Sequence, residues 1–220
     1  MSDLGTLKSR IRRELNRASL RSDVVVDEIE SAIRHYKGKR FIFNSVLRET
    51  ISGSSGTAVL TISTASSLVQ VDHVVLLWPS STFRESLRQR PVEWLERRFT
   101  TNNYRSRPSY WGVQGDTIVF DTIQDADYDY VLNYVKELSA LTSDTATNAW
   151  MVEGEELIRT RAKQKILKNY IRGTAARAEA KELAGDERET YRELRSRQTQ
   201  REAGGDVIPW GPGSHRSWNE

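Results

Sequence analysis

Four aspartates, Asp121, Asp125, Asp127 and Asp129, form the one constellation in the chain whose type and spacing suit acid–base chemistry. A pair of carboxylates can cleave a glycosidic bond when one is buried and protonated while the other stays ionised. Here the stretch "DTIQDADYD" reads as a turn, where water keeps every carboxylate charged. Clusters of this kind shape turns or solvate a rim. The three histidines, His35, His73 and His215, are scattered without metal-ligand spacing, and the chain has no cysteine. Thiolate zinc sites, disulfides and thiol redox chemistry are therefore excluded. The "GSSG" of Gly53–Gly56 falls one residue short of a nucleophile elbow, and no phosphate-binding loop or dinucleotide fingerprint is present. The reading is of a protein with no catalytic residue, no cofactor and no metal.

Composition points the same way. Of 220 residues, 37% are hydrophobic and 29% charged, which suits a modest core carrying long solvated elements. The longest apolar run, Val74 to Trp78, is too short to span a bilayer. The opening "MSDLGTLKSRIRREL" has no apolar signal core, so a product made or assembled in a cytosol is expected. Net charge is only +3, but it is segregated. Residues 1–22 hold Lys8, Arg10, Arg12, Arg13, Arg17 and Arg21 against Asp3 and Glu14. Residues 84–107 hold seven arginines against Glu85, Glu93 and Glu96, and residues 116–129 hold five aspartates and no basic residue. Such segregation suits nucleic acid or self-association of unlike faces, and the small net charge favours the second.

The elements that must position these residues follow from periodicity. Leu4, Leu7, Ile11 and Leu15 mark an amphipathic helix; Val25, Ile29, Ile33 and Tyr36 mark a second, capped by Ser22 or Asp23 and closed by Gly38. The period then changes to two in "FIFNSVLRETI", "TAVLTIS", "VDHVVLLWP" and "ESLRQR". A short helix after Pro91 uses Trp94, Leu95 and Phe99. Gln114 and Gly115 turn a hairpin between "SYWGV" and "DTIVF", and Tyr128, Tyr130, Leu132 and Tyr134 share one face of a third neighbouring strand. "EGEELIRTRAKQKILKNYIRG" is a helix with Ile158, Ala162, Ile166 and Tyr170 at four-residue steps. Beyond Gly173 the apolar pattern thins, and "DERETYRELRSRQTQRE" offers only Tyr191 and Leu194, too little for a core of its own. The fold class is α+β: a mainly helical base with an inserted antiparallel β region at about 41–136, completing a core domain over 1–172. A projecting helical arm follows at 173–203, then a flexible Gly/Pro-rich tail at 204–220.

In this order the pieces resemble the head-to-tail adaptor proteins of tailed bacteriophages, particularly the tail accessory factors of short-tailed phages. The resemblance rests on the helical hairpin running into "AIRHYKGKRFIFN", the strand ending "VVLLWP", and the helix opening "EGEELIRTRAKQKILKNYI". It rests also on a "G-x-x-I/L-x-F/L" strand at 115–120 followed by alternating Tyr128, Tyr130, Leu132 and Tyr134. One departure is the turn "TIQDAD", where the family often has prolines.

The resemblance implies a structural connector in the virion at the head–tail joint, assembled in the host cytoplasm with no membrane. It implies a homo-oligomeric, dodecameric ring beneath the portal protein that extends the DNA channel, lies in non-specific proximity to genomic DNA, and docks nozzle or tail-completion proteins. On that reading Trp78, Trp111, Phe120, Tyr128, Tyr130 and Tyr134 pack a β scaffold, and the four aspartates rim it toward a neighbour or the channel. Val207, Ile208, Trp210, Arg216 and Trp218, with Tyr191 and Leu194 on the arm, are the portal or partner contacts. Two rival readings are a connector that also hydrolyses peptidoglycan and a DNA-binding module using the basic helices.

Overall fold

The computed structural model describes residues 2–62, 68–79, 83–101 and 105–203. In chain order the elements are helices α1 (Leu4–Glu14) and α2 (Ser22–Tyr36), then strands β1 (Ser45–Ser52), β2 (Val59–Thr61), β3 (Leu68–Leu77), β4 (Arg84–Ser86) and β5 (Arg88–Gln89). Helix α3 (Val92–Thr101), strands β6 (Tyr110–Gln114), β7 (Thr117–Phe120) and β8 (Asp129–Lys136), and helices α4 (Ala149–Val152), α5 (Glu155–Asn169) and α6 (Thr174–Ala203) follow. The α+β class expected from the sequence is the class observed. The chain divides into two compact units, one from the described parts of Met1–His35, Arg40–Phe43 and Leu141–Glu220, the other from Tyr36–Lys39 and Asn44–Ala140.

In the helical unit, Asp3 caps α1 by accepting a hydrogen bond from the Thr6 amide at 2.7 Å. That bond also holds the Asp3 carboxyl below its usual range. The apolar stripe of α1, Leu4, Leu7, Ile11 and Leu15, is buried with Val25, Ile29 and Ala32 of α2 and Leu157, Ile158, Ala162 and Ile166 of α5. Tyr170, expected to continue the α5 stripe, is half exposed at the helix end. Asn148 caps α4, which turns Trp150 and Met151 into the core. Phe41 and Phe43 stack on each other and meet Trp150 edge-on at 5.5 and 4.9 Å. The strand expected from Phe41 therefore begins only at Ser45, because the two phenylalanines serve the helical unit.

Helix α6 departs most from its sequence reading. It lies along α5, with Ala176, Leu183, Glu187, Leu194 and Gln198 buried at steps of seven and four residues. Arg161 pairs with Glu187, and Tyr191 meets Phe41 edge-on at 5.9 Å. The segment has a packing seam after all. Two of its five places are filled by Glu187 and Gln198, which a search for apolar residues passes over.

The β unit holds two four-stranded sheets, ordered β1-β8-β3-β4 and β2-β7-β6-β5. The sequence read β6, β7 and β8 as neighbours. Instead β6 and β7 pair in one sheet while β8 sits between β1 and β3 in the other. Tyr130, Leu132 and Tyr134 point from β8 into a core shared with Trp111, Ile118 and Phe120 of β6 and β7. The expected strand "ESLRQR" likewise serves both sheets. It breaks at buried Leu87, so that β4 edges one sheet and β5 runs parallel to β6 at the edge of the other. The β6–β7 turn is Gly115–Asp116, one residue later than expected. Gly115 has φ +60°, and only this first turn residue is left-handed, as a II′ hairpin requires.

Candidate interaction surface

Asp121 ends β7 and is 5% exposed. Its Oδ1 accepts hydrogen bonds from the Ser109 and Tyr110 amides, both at 3.0 Å, fixing the start of β6. Its Oδ2 lies 3.4 Å from Arg98 Nε on α3. A buried carboxylate with two amide donors and a guanidinium is fully engaged. Asp121 is thus an internal brace, which corrects its assignment to a rim.

Beyond Arg98 the contacts run outward as a stack. The Arg98 guanidinium lies 5.6 Å from the Trp94 ring and 5.3 Å from the Tyr110 ring. Those two rings meet edge-on at 5.0 Å. Arg90 approaches the same rings at 5.5 and 5.6 Å. Two arginines thus flank one aromatic pair, the inner one tied to a buried carboxylate and the outer one exposed, with no carboxylate within ion-pair distance among the described residues. Gly112 makes the arrangement possible, since a Cβ there would lie 2.8 Å from the Arg90 carbonyl and 2.9 Å from Leu95 Cδ1. The sequence reading did not single out this group. Its signal is present in the four-residue spacing of Arg90, Trp94 and Arg98.

The other aspartates are exposed and partnered. Asp125 accepts from the Tyr128 hydroxyl at 2.8 Å, Asp127 from the Ser55 amide at 2.7 Å, and Asp129 from the Ser52 hydroxyl at 2.6 Å. Burial, then the bond to Asp125, pushes the Tyr128 phenol up to about 12. Burial also pushes the Tyr130 phenol up, and its hydroxyl donates to buried Gln124 at 2.9 Å. These carboxylates act as turn acceptors. Trp111, Phe120, Tyr128, Tyr130 and Tyr134 lie buried in the β core, whereas Trp78 is 36% exposed. It packs edge-on to Phe83 and lies under the Arg107 guanidinium at 4.8 Å, outside the core assigned to it. Leu194 is buried and Tyr191 packs on Phe41, so both serve the helical unit's own interior and offer a partner little surface. Val207, Ile208, Trp210, Arg216 and Trp218 lie outside the described residues. Among the described residues there is no cluster of metal-ligating side chains.

The chain belongs to the SU10 adaptor protein family, whose model matches residues 2–210. The resemblance to phage head-to-tail adaptors is thereby borne out, and by family this is a structural phage adaptor of the head–tail junction. No curated protein matches the chain. No helix among the described residues is long and apolar enough to cross a membrane.

Proposed function

We propose that the protein is a head-to-tail connector that assembles as a homo-oligomeric, dodecameric ring beneath the portal, extends the DNA channel and docks tail components. The observation that carries this reading is the family match, which spans both compact units and continues past α6 to residue 210. Segregated charge supports it, because unlike faces on one chain favour a heterologous contact that closes into a ring. The exposed Asp125, Asp127 and Asp129 fit a rim facing a neighbour or the channel. Tail residues Val207, Ile208, Trp210, Arg216 and Trp218 supply contacts to the portal or to other partners in the assembly. Deleting 204–220 and mixing the product with portal rings tests the role of the tail. The truncated chain is expected to stay soluble and fail to join the portal. Joining as well as the full chain would remove the tail from the portal contact.

A further inference from the structure

Residues 84–90 form the outer edge of both sheets, because β4 and β5 each end the sheet they belong to. Their inner side is occupied: the Leu87 amide donates to Val74, Arg88 to Ser109 and Arg90 to Trp111. Arg84, Arg88 and Arg90 are exposed along this edge, and none has a carboxylate within ion-pair distance among the described residues. Charge on an edge strand by itself only repels other strands. Here it is paired with two further features. Arg90 is set by Trp94 and Tyr110, which fixes a planar fork suited to a carboxylate. Beside it lies an open hollow of about 360 Å³ lined by Gln89, Arg90, Pro91, Val92 and Val113. A phosphate backbone would leave the Pro91, Val92 and Val113 side of that hollow unused. An extended peptide with a carboxylate next to a branched aliphatic residue uses both.

The chain itself carries such a segment. Asp206 is the one acidic residue between Glu202 and Glu220, and Val207, Ile208, Pro209 and Trp210 follow it. Val207 and Ile208 favour extended backbone, and Pro209 ends any strand pairing. The family match runs past α6 and ends on Trp210. A chain extends by at most about 3.5 Å per residue, so this segment reaches no more than about 25 Å from Ala203, which limits it to surfaces close to the end of α6. We infer that the 84–90 edge receives the segment Asp206–Trp210 of another copy, adding a strand with Asp206 on the arginines and an aliphatic side chain in the hollow. The inference rests on the proposed ring reading, for which it names one contact between copies.

The absence of cysteine makes the test clean. Full-length chain carrying Gln89→Cys is mixed with full-length chain carrying Ile208→Cys at about 1 mM, the effective concentration a tethered neighbour supplies, and oxidised. The expected result is a heterodimer whose disulfide joins position 89 of one chain to position 208 of the other, identified by the mass of the linked peptides and distinguished from the two homodimers. Its yield should fall at least tenfold when the first chain also carries Arg84→Gln, Arg88→Gln and Arg90→Gln, or the second carries Asp206→Asn. Arg13→Gln with Arg17→Gln should leave the yield unchanged. Circular dichroism of each variant confirms that losses do not come from unfolding. No cross-link, or a yield indifferent to the arginines, overturns the inference. A chain carrying both cysteines that closes on itself without change of mass overturns the assignment to another copy. If the cross-link fails while electron microscopy shows a ring on the portal, the inference falls and the connector reading stands. A cross-link without any portal ring gives the reverse.

Discussion

The Arg98 guanidinium stands between the buried carboxylate of Asp121, 3.4 Å away, and the indole of Trp94, 5.6 Å away. One side chain therefore ties the end of β7 to α3, and through Trp94 and Tyr110 it sets Arg90 at the sheet edge. Asp121→Asn would weaken the bonds to Ser109 and Tyr110 and leave Arg98 without its anion. Hydrogen bonds to a charged group contribute about 2 kcal/mol, so urea unfolding should report a loss of that order. Asp127→Asn, at an exposed acceptor, should stay within about 0.5 kcal/mol. Equal effects at the two sites would contradict the brace.

Gly112→Ala would drive a Cβ to 2.8 Å from the Arg90 carbonyl, where backbone cannot yield easily. A loss of about 1–3 kcal/mol is expected, the range for overpacking. Gly38→Ala, with nothing within 4 Å, is the matched control and should be near neutral. A stable Gly112→Ala chain would show that α3 can move away from β6.

The helices and most strands are legible in the sequence because their apolar periods are complete, as in Leu4, Leu7 and Ile11. Sheet membership was not legible. Periodicity assigns Tyr130 and Tyr134 to one strand face but says nothing of partners, and β8 pairs with distant β1 and β3 rather than with β7. The α6 seam was missed because Glu187 and Gln198 fill core places, with Arg161 compensating the first. The arginine–aromatic stack is not legible in the sequence because its members present different signals, charge for Arg90 and Arg98 and packing for Trp94.

The α6 seam implies that the arm is held against α5 in the free subunit. Amides from Leu183 to Gln198 should exchange slowly in the isolated protein, and Leu194→Ala should cost about 2–3 kcal/mol, at the lower end for large-to-small core changes. Rapid exchange across this stretch would show that α6 does not hold to α5 without partners.

His73 on β3 is paired in register with Asn133 and lies 3.4 Å from the Ser86 hydroxyl. Burial holds its pKa below the ordinary 6.5. The unfolded chain therefore takes up this proton first as pH falls, so stability present above 6.5 is lost below it, down through the folded pKa. Urea midpoints should drop between pH 7.5 and 5, and His73→Gln should flatten that drop. An unchanged slope in the variant would assign the dependence to other groups.

Electron microscopy of the full-length protein mixed with portal rings tests the central claim most directly. The connector reading predicts a closed ring of copies docked coaxially beneath the portal, with an axial channel continuous with the portal channel. Portal rings that stay bare while the protein remains monomeric at saturating concentration would contradict it.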